Sequence, residues 1–86
     1  MRRYEVELST AAAREFKRLP VDVAKRLRPA VLALADNPRP QGVVKLAGDE
    51  NVWRIRVSDY RILYRIHDKI LLVLIVEIAH RREAYR

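Results

Sequence analysis

The chain has 86 residues, half of them hydrophobic and none of them cysteine, with eighteen lysines and arginines against eleven acidic residues and a formal net charge of +7. That length suits one domain, residues 1–86, with a modest core that must hold without disulfides or thiolate metal sites. No apolar segment follows Met1-Arg2-Arg3 as a secretory signal would require, and the longest apolar run, Ile70 to Val76, is too short to span a bilayer. The expectation is a cytoplasmic protein with no membrane partner, whose charge favours encounter with a polyanion or an acidic protein.

Tyr4 to Leu8 alternates polar and apolar side chains and predicts a first strand. Ser9 or Thr10 can cap a short helix over Ala11 to Leu19, in which Ala12, Phe16 and Leu19 form the buried stripe. Pro20 ends it. A second helix is predicted from Pro20–Asp22 to about Ala35, with Val23, Leu27, Ala30, Val31 and Leu34 on one face and Pro29 bending or splitting it. The two helices make a hairpin. Asn37 to Gly42 holds two prolines and a glycine and predicts a loop, and Val43 to Asn51 continues as irregular chain or a short edge segment.

Val52 to Ile66 alternates large apolar and cationic residues and folds back at Ser58-Asp59. With those two residues as the loop, Val57 faces Tyr60, Ile55 faces Ile62 and Trp53 faces Tyr64 on an apolar side. Trp53 and Tyr64 then read as a core pair beneath the helices, with the Tyr60 hydroxyl reaching a loop carbonyl. The other side sets Arg56 directly against Arg61, with Arg54 and Arg65 along the same face. Like charges across a ladder repel, so this side is either an anion-binding surface or a solvated face covered by arginine stems. After a turn at His67-Asp68-Lys69, the run Lys69 to Ala79 is apolar on both faces except at Glu77, which this register sets opposite Tyr60. A cationic, aromatic tail completes the chain, Ala79 to Arg86.

These elements predict an α+β fold: a four-stranded, mostly antiparallel sheet with an N-terminal helical hairpin on one face. On the other face Leu63, Leu72, Leu74 and Val76 form an apolar strip among Arg54, Arg56, Arg61 and Arg65. Phosphates and bases fit such a surface, and so does an amphipathic helix of a partner protein.

Leu19-Pro20, Asn37-Pro38, Lys45-Leu46-Ala47-Gly48, Trp53 to Val57, Asp59 to Tyr64 and His80 to Tyr85 occur in the order and at the spacings of one known group. On these motifs the chain resembles the RelE toxins of the RelE/ParE toxin–antitoxin superfamily. The resemblance implies a toxin that cuts mRNA in the ribosomal decoding site and is neutralised by a cognate antitoxin encoded nearby. It also implies a toxin–antitoxin heterotetramer binding its own operator DNA. The strip Leu63, Leu72, Leu74 and Val76 is then the expected antitoxin contact.

Cutting RNA without a metal uses the neighbouring 2′-hydroxyl as nucleophile, and requires a proton acceptor, positive charge on the phosphorane and a donor for the leaving oxygen. No cluster in the sequence has metal-ligand spacing, so no cofactor is expected. Carried over from the family pattern, the catalytic set is Arg54, Arg56, Arg61, Arg81 and Tyr85, with Lys45, Arg65 and Arg82 as further RNA contacts. Several relatives have lysine where this chain has Arg54 and Arg56. Arginine stays charged, which leaves Tyr85 as the expected base and His80 as its competitor. Two other functions remain open: a gyrase inhibitor like the ParE branch, and an inert RNA-binding module.

Overall fold

The computed structural model describes residues 3–46 and 51–80. Strand β1 (Glu5–Leu8) leads into helices α1 (Thr10–Arg18) and α2 (Val21–Ala33), then strands β2 (Val44–Lys45), β3 (Val52–Val57) and β4 (Tyr60–His67). A 3₁₀ turn (Asp68–Ile70) precedes strand β5 (Leu72–His80). The strands form one sheet in the order β1-β5-β4-β3-β2, parallel between β1 and β5 and antiparallel elsewhere. Among the described residues the sheet therefore has five strands where four were expected. The extra one is β2, whose two residues pair with Arg54 and Trp53 and are too few to show a period in sequence.

The helices obey their local signals. Ser9 caps α1, its hydroxyl accepting from the Ala12 amide at 3.0 Å, and Lys17 and Arg18 occupy the last turn, where cations suit the helix dipole. Pro29 sits inside α2 without ending it, although it has no N–H to return to the Lys25 carbonyl. Ala12, Leu27, Val31 and Leu34 pack onto Ile62, Tyr64, Ile66, Val73, Ile75 and Ile78, so the helical hairpin covers one sheet face and the core lies between.

The β3–β4 hairpin has the register read from its alternation, with Trp53 opposite Tyr64, Ile55 opposite Ile62 and Arg56 opposite Arg61. Ser58 takes a positive φ of 58° at the first turn position, as type II′ turns require. Fully buried Tyr64 donates its hydroxyl to the Pro38 carbonyl at 2.8 Å. The tyrosine that reaches a loop carbonyl is thus Tyr64 and not Tyr60, whose ring instead meets His80 edge to face at 5.0 Å between centroids.

A β-bulge in β5 exchanges the two faces of its C-terminal half. Tyr64 pairs with Ile75 but Leu63 pairs with Glu77, so Val76 is an extra residue and the alternation of β5 reverses beyond it. Glu77 therefore lies opposite Leu63 on the open face, not opposite Tyr60 beneath the helices. His80 pairs with Tyr60 and joins the helix-side face. Ser9 receives the bulge: its amide donates to the Ile75 carbonyl at 2.8 Å and its hydroxyl to the Val76 carbonyl at 3.2 Å.

Candidate nucleic-acid interface

The uncovered face can be read row by row from the register. Nearest the β3–β4 turn, Arg56, Arg61 and Ala79 lie side by side; next come Arg54, Leu63 and Glu77. Then Val52, Arg65, Leu74 and Glu7 share a row, and His67, Leu72 and Glu5 form the last. Positive charge thus collects on β3 and β4, an apolar middle is formed by Leu63, Leu72 and Leu74, and Glu5, Glu7 and Glu77 supply an acidic border. Val76, as the bulged residue, is half-buried beside this strip. The acidic border is an addition to the sequence-based expectation: Glu5 and Glu7 alternate visibly, but only their parallel pairing with Leu72 and Leu74 shows which face they share.

Arg56 and Arg61 line a recess of about 120 Å³ at the hairpin end, together with Ser58, Asp59 and Tyr60. Both arginines stand on a short hairpin whose turn is tethered to α2 by an Arg26 Nη1 to Ser58 Oγ contact of 3.4 Å. Arg54 is half-buried in the next row, and its Nε is buried with no hydrogen-bond partner among the described residues.

Other expected RNA contacts divide. Arg65 belongs to the open face. Lys45 does not: it pairs with Trp53 on the helix side, its Nζ 5.7 Å from the centre of the Trp53 ring, while Arg39 lies over the same ring at 5.1 Å. Arg81, Arg82 and Tyr85 lie outside the described residues.

His80 also stands apart from the arginines. It lines a cleft of about 250 Å³ between sheet and helices with Glu15, Arg18, Leu19, Tyr60 and Ile78. Tyr60 borders both this cleft and the arginine recess. Within the cleft, Glu15 Oε1 accepts the Ile78 backbone N–H at 2.9 Å. The sequence did carry a hint of this, since Glu15 falls three residues after Ala12 and one before Phe16, on the edge of the stripe that α1 buries.

At the opposite end a polar cluster holds the Asn37–Gly42 loop to the sheet. Arg39 makes two hydrogen bonds to Asp68, at 2.9 and 3.3 Å, and the Tyr4 hydroxyl donates to the same carboxylate. Those bonds, Arg39 first and Tyr4 second, lower the Asp68 pKa to about 2. Burial raises the Tyr64 phenol to about 12.

A basic, arginine-bearing sheet with a helical hairpin on one side and its other side open among the described residues is shared with solved toxin–antitoxin complexes. A family model described as the ParE toxin of the type II toxin-antitoxin system, parDE, matches residues 6–85, and the chain belongs to this family, as a RelE-type toxin of the RelE/ParE superfamily. The toxin RelE of Mycobacterium tuberculosis is 34% identical over 84 residues, covering 96% of this chain and 87% of that one. Among solved structures, the archaeal RelE–RelB complex from Pyrococcus horikoshii superposes with a TM-score of 0.81 at 26% identity, covering 94% of this chain and 97% of its counterpart. The toxin–antitoxin complex RelBE2 of M. tuberculosis gives 0.81 at 28% identity, covering 94% of each chain.

Proposed function

We propose that the protein is an endoribonuclease that cuts mRNA in the decoding site of the ribosome, without a metal, and so arrests translation in the cytoplasm. The observation that carries this reading is the pairing of Arg56 with Arg61 at the rim of one recess, with Arg54 in the next row of the same face. Two guanidinium groups on facing positions of one hairpin are suited to a phosphate whose charge grows as the 2′-oxygen adds and the 5′-oxygen leaves. Arg61 binds the scissile phosphate, Arg54 and Arg56 stabilise the phosphorane, and Arg81 adds a second clamp. Tyr85, as its phenolate, takes the 2′-hydroxyl proton, and solvent water protonates the departing 5′-oxygen, leaving a 2′,3′-cyclic phosphate. Arg65 and Arg82 follow the RNA backbone. His80, on the helix side with Tyr60, supports the strand end in this scheme rather than receiving the proton.

The ribosome contributes the in-line geometry that a shallow recess does not impose. A cognate antitoxin, as in the RelE–RelB complexes to which the fold is similar, covers the open face, burying Leu63, Leu72, Leu74 and Val76 and meeting the arginines with acidic groups. The pair assembles as a heterotetramer on its operator DNA.

The matching family model bears the ParE name, so gyrase inhibition is the second reading. Primer extension on translated mRNA, run beside a gyrase supercoiling assay, separates them. Cuts within ribosome-bound codons support the nuclease; trapped cleaved plasmid without such cuts supports the gyrase inhibitor; neither result leaves an inert RNA-binding module.

A further inference from the structure

Strand β1 runs beside β5 only from the Glu5–Leu72 pair to the Leu8–Ile75 pair, after which the chain turns away into α1. Strand β5 continues to His80, paired with β4 on one side but, among the described residues, with no strand on the other. An unpaired edge leaves backbone groups without partners and lets a strand end fray. Here the N-cap and one side chain of α1 substitute for the missing strand. Ser9 takes the Ile75 and Val76 carbonyls of the bulge, and Glu15 accepts the Ile78 amide.

The two contacts differ in what they can control. Ser9 acts where β1 still lies alongside, whereas Glu15 acts three residues beyond the last β1 pair and two before the strand ends. Its acceptor is a carboxylate, which makes stronger hydrogen bonds than a neutral group. Ile78 is fully flanked: Ile62 pairs with it across the ladder, and its own side chain is buried in the core. In the sequence Arg81 to Tyr85 continue directly from that strand end.

We propose that Glu15 is a positioning residue: by binding the Ile78 amide it fixes the edge of β5 that has no neighbouring strand among the described residues, just before the chain runs on in sequence to Arg81 and Tyr85. The role rests on the nuclease reading, since it assigns work to the tail. Glu15 touches no substrate in this scheme. It acts through the backbone, so a neutral acceptor of the same length can replace most of its effect.

The test uses the full chain, released from its antitoxin, with Glu15→Ala, Glu15→Gln and Glu15→Asp. Three properties are measured: amide hydrogen exchange at Ile78 and at Ile66, single-turnover cleavage on saturating ribosomes, and antitoxin affinity. Ile66 lies in the core, paired with Val73 at the other end of β5 from Ile78, and reports on the fold as a whole. In Glu15→Ala, Ile78 exchange should rise by roughly tenfold or more, as expected when a hydrogen bond to a charged group is lost, while Ile66 stays protected. Cleavage should fall by about tenfold to a hundredfold, the scale of a small misplacement of reacting groups, with antitoxin affinity unchanged. Glu15→Gln should largely restore both, and Glu15→Asp, one methylene shorter, should not.

Wild-type cleavage matched by Glu15→Ala overturns the positioning role. So does a Glu15→Gln variant as impaired as Glu15→Ala, which would make the effect one of charge. Should Glu15→Ala fail to fold, Glu15→Gln against Glu15→Asp decides by the same criteria. A wild-type chain that leaves ribosome-bound mRNA intact refutes the nuclease reading itself, a different result from any of these.

Discussion

Arg56 and Arg61 are direct partners across the β3–β4 ladder, on the uncovered face and next to the Ser58-Asp59 turn. The pairing gathers positive charge where an anion would neutralise it, so removing one arginine should affect activity far more than stability. Arg61→Ala is expected to slow single-turnover cleavage by roughly a hundredfold or more, with a much smaller change in the thermal midpoint. A variant that lost activity only in proportion to lost stability would make Arg61 structural.

Ser9 joins three things at once: the first turn of α1, the Ile75 carbonyl and the Val76 carbonyl. Ser9→Ala keeps the backbone bond and loses the cap and the hydroxyl bond, so urea denaturation should show a loss of about 1–2 kcal/mol. An unchanged midpoint would mean that the bulge does not depend on this hydroxyl.

Asp68 predicts an acid limb in stability. Its folded pKa of about 2 lies below the ordinary value, because the Arg39 and Tyr4 hydrogen bonds favour the carboxylate. The folded state therefore holds fewer protons than the unfolded one between these values. The stabilisation is complete above the unfolded pKa and is lost as pH falls towards 2. Thermal midpoints measured from about pH 6 downward should drop over that window in the wild type and drop less steeply in Asp68→Asn. Parallel curves would exclude Asp68 as a source of the limb.

Leu74 occupies the middle of the open face, between Arg65 on β4 and Glu7 on β1. Leu74→Glu places a charge where an antitoxin's apolar side chains would pack, and should raise the Kd measured by calorimetry by on the order of tenfold or more. The antitoxin tested is the product of the adjacent gene. Full affinity in this variant would move the antitoxin contact off the strip.

Periodicity made much of this fold legible. The β3–β4 register comes from strict alternation and a two-residue turn, and α1 and α2 from their stripes and from Ser9 and Pro20. The run Lys69 to Ala79 defeated the same reasoning, because a strand apolar on both faces gives no sign of where its alternation reverses. One extra residue, Val76, moved Glu77 to the open face and His80 beneath Tyr60. Strand β2, too short to show a period, was legible only as one of two alternatives, a short edge segment or irregular chain, and Glu15 escaped because its partner is a backbone amide 63 positions away. The arginine recess was legible since both its guanidinium groups come from one hairpin, whereas Lys45 was drawn to the far side of the sheet by Trp53.

The most direct measurement is the single-turnover rate at which the purified toxin cuts one mRNA, first with a codon held in the ribosomal decoding site and then free in solution. A ribosome-dependent nuclease of the kind proposed cuts the first at defined positions within the codon and leaves the second essentially intact, because the recess supplies charge but not in-line geometry. Equal rates on both, or no cut on either, would contradict it.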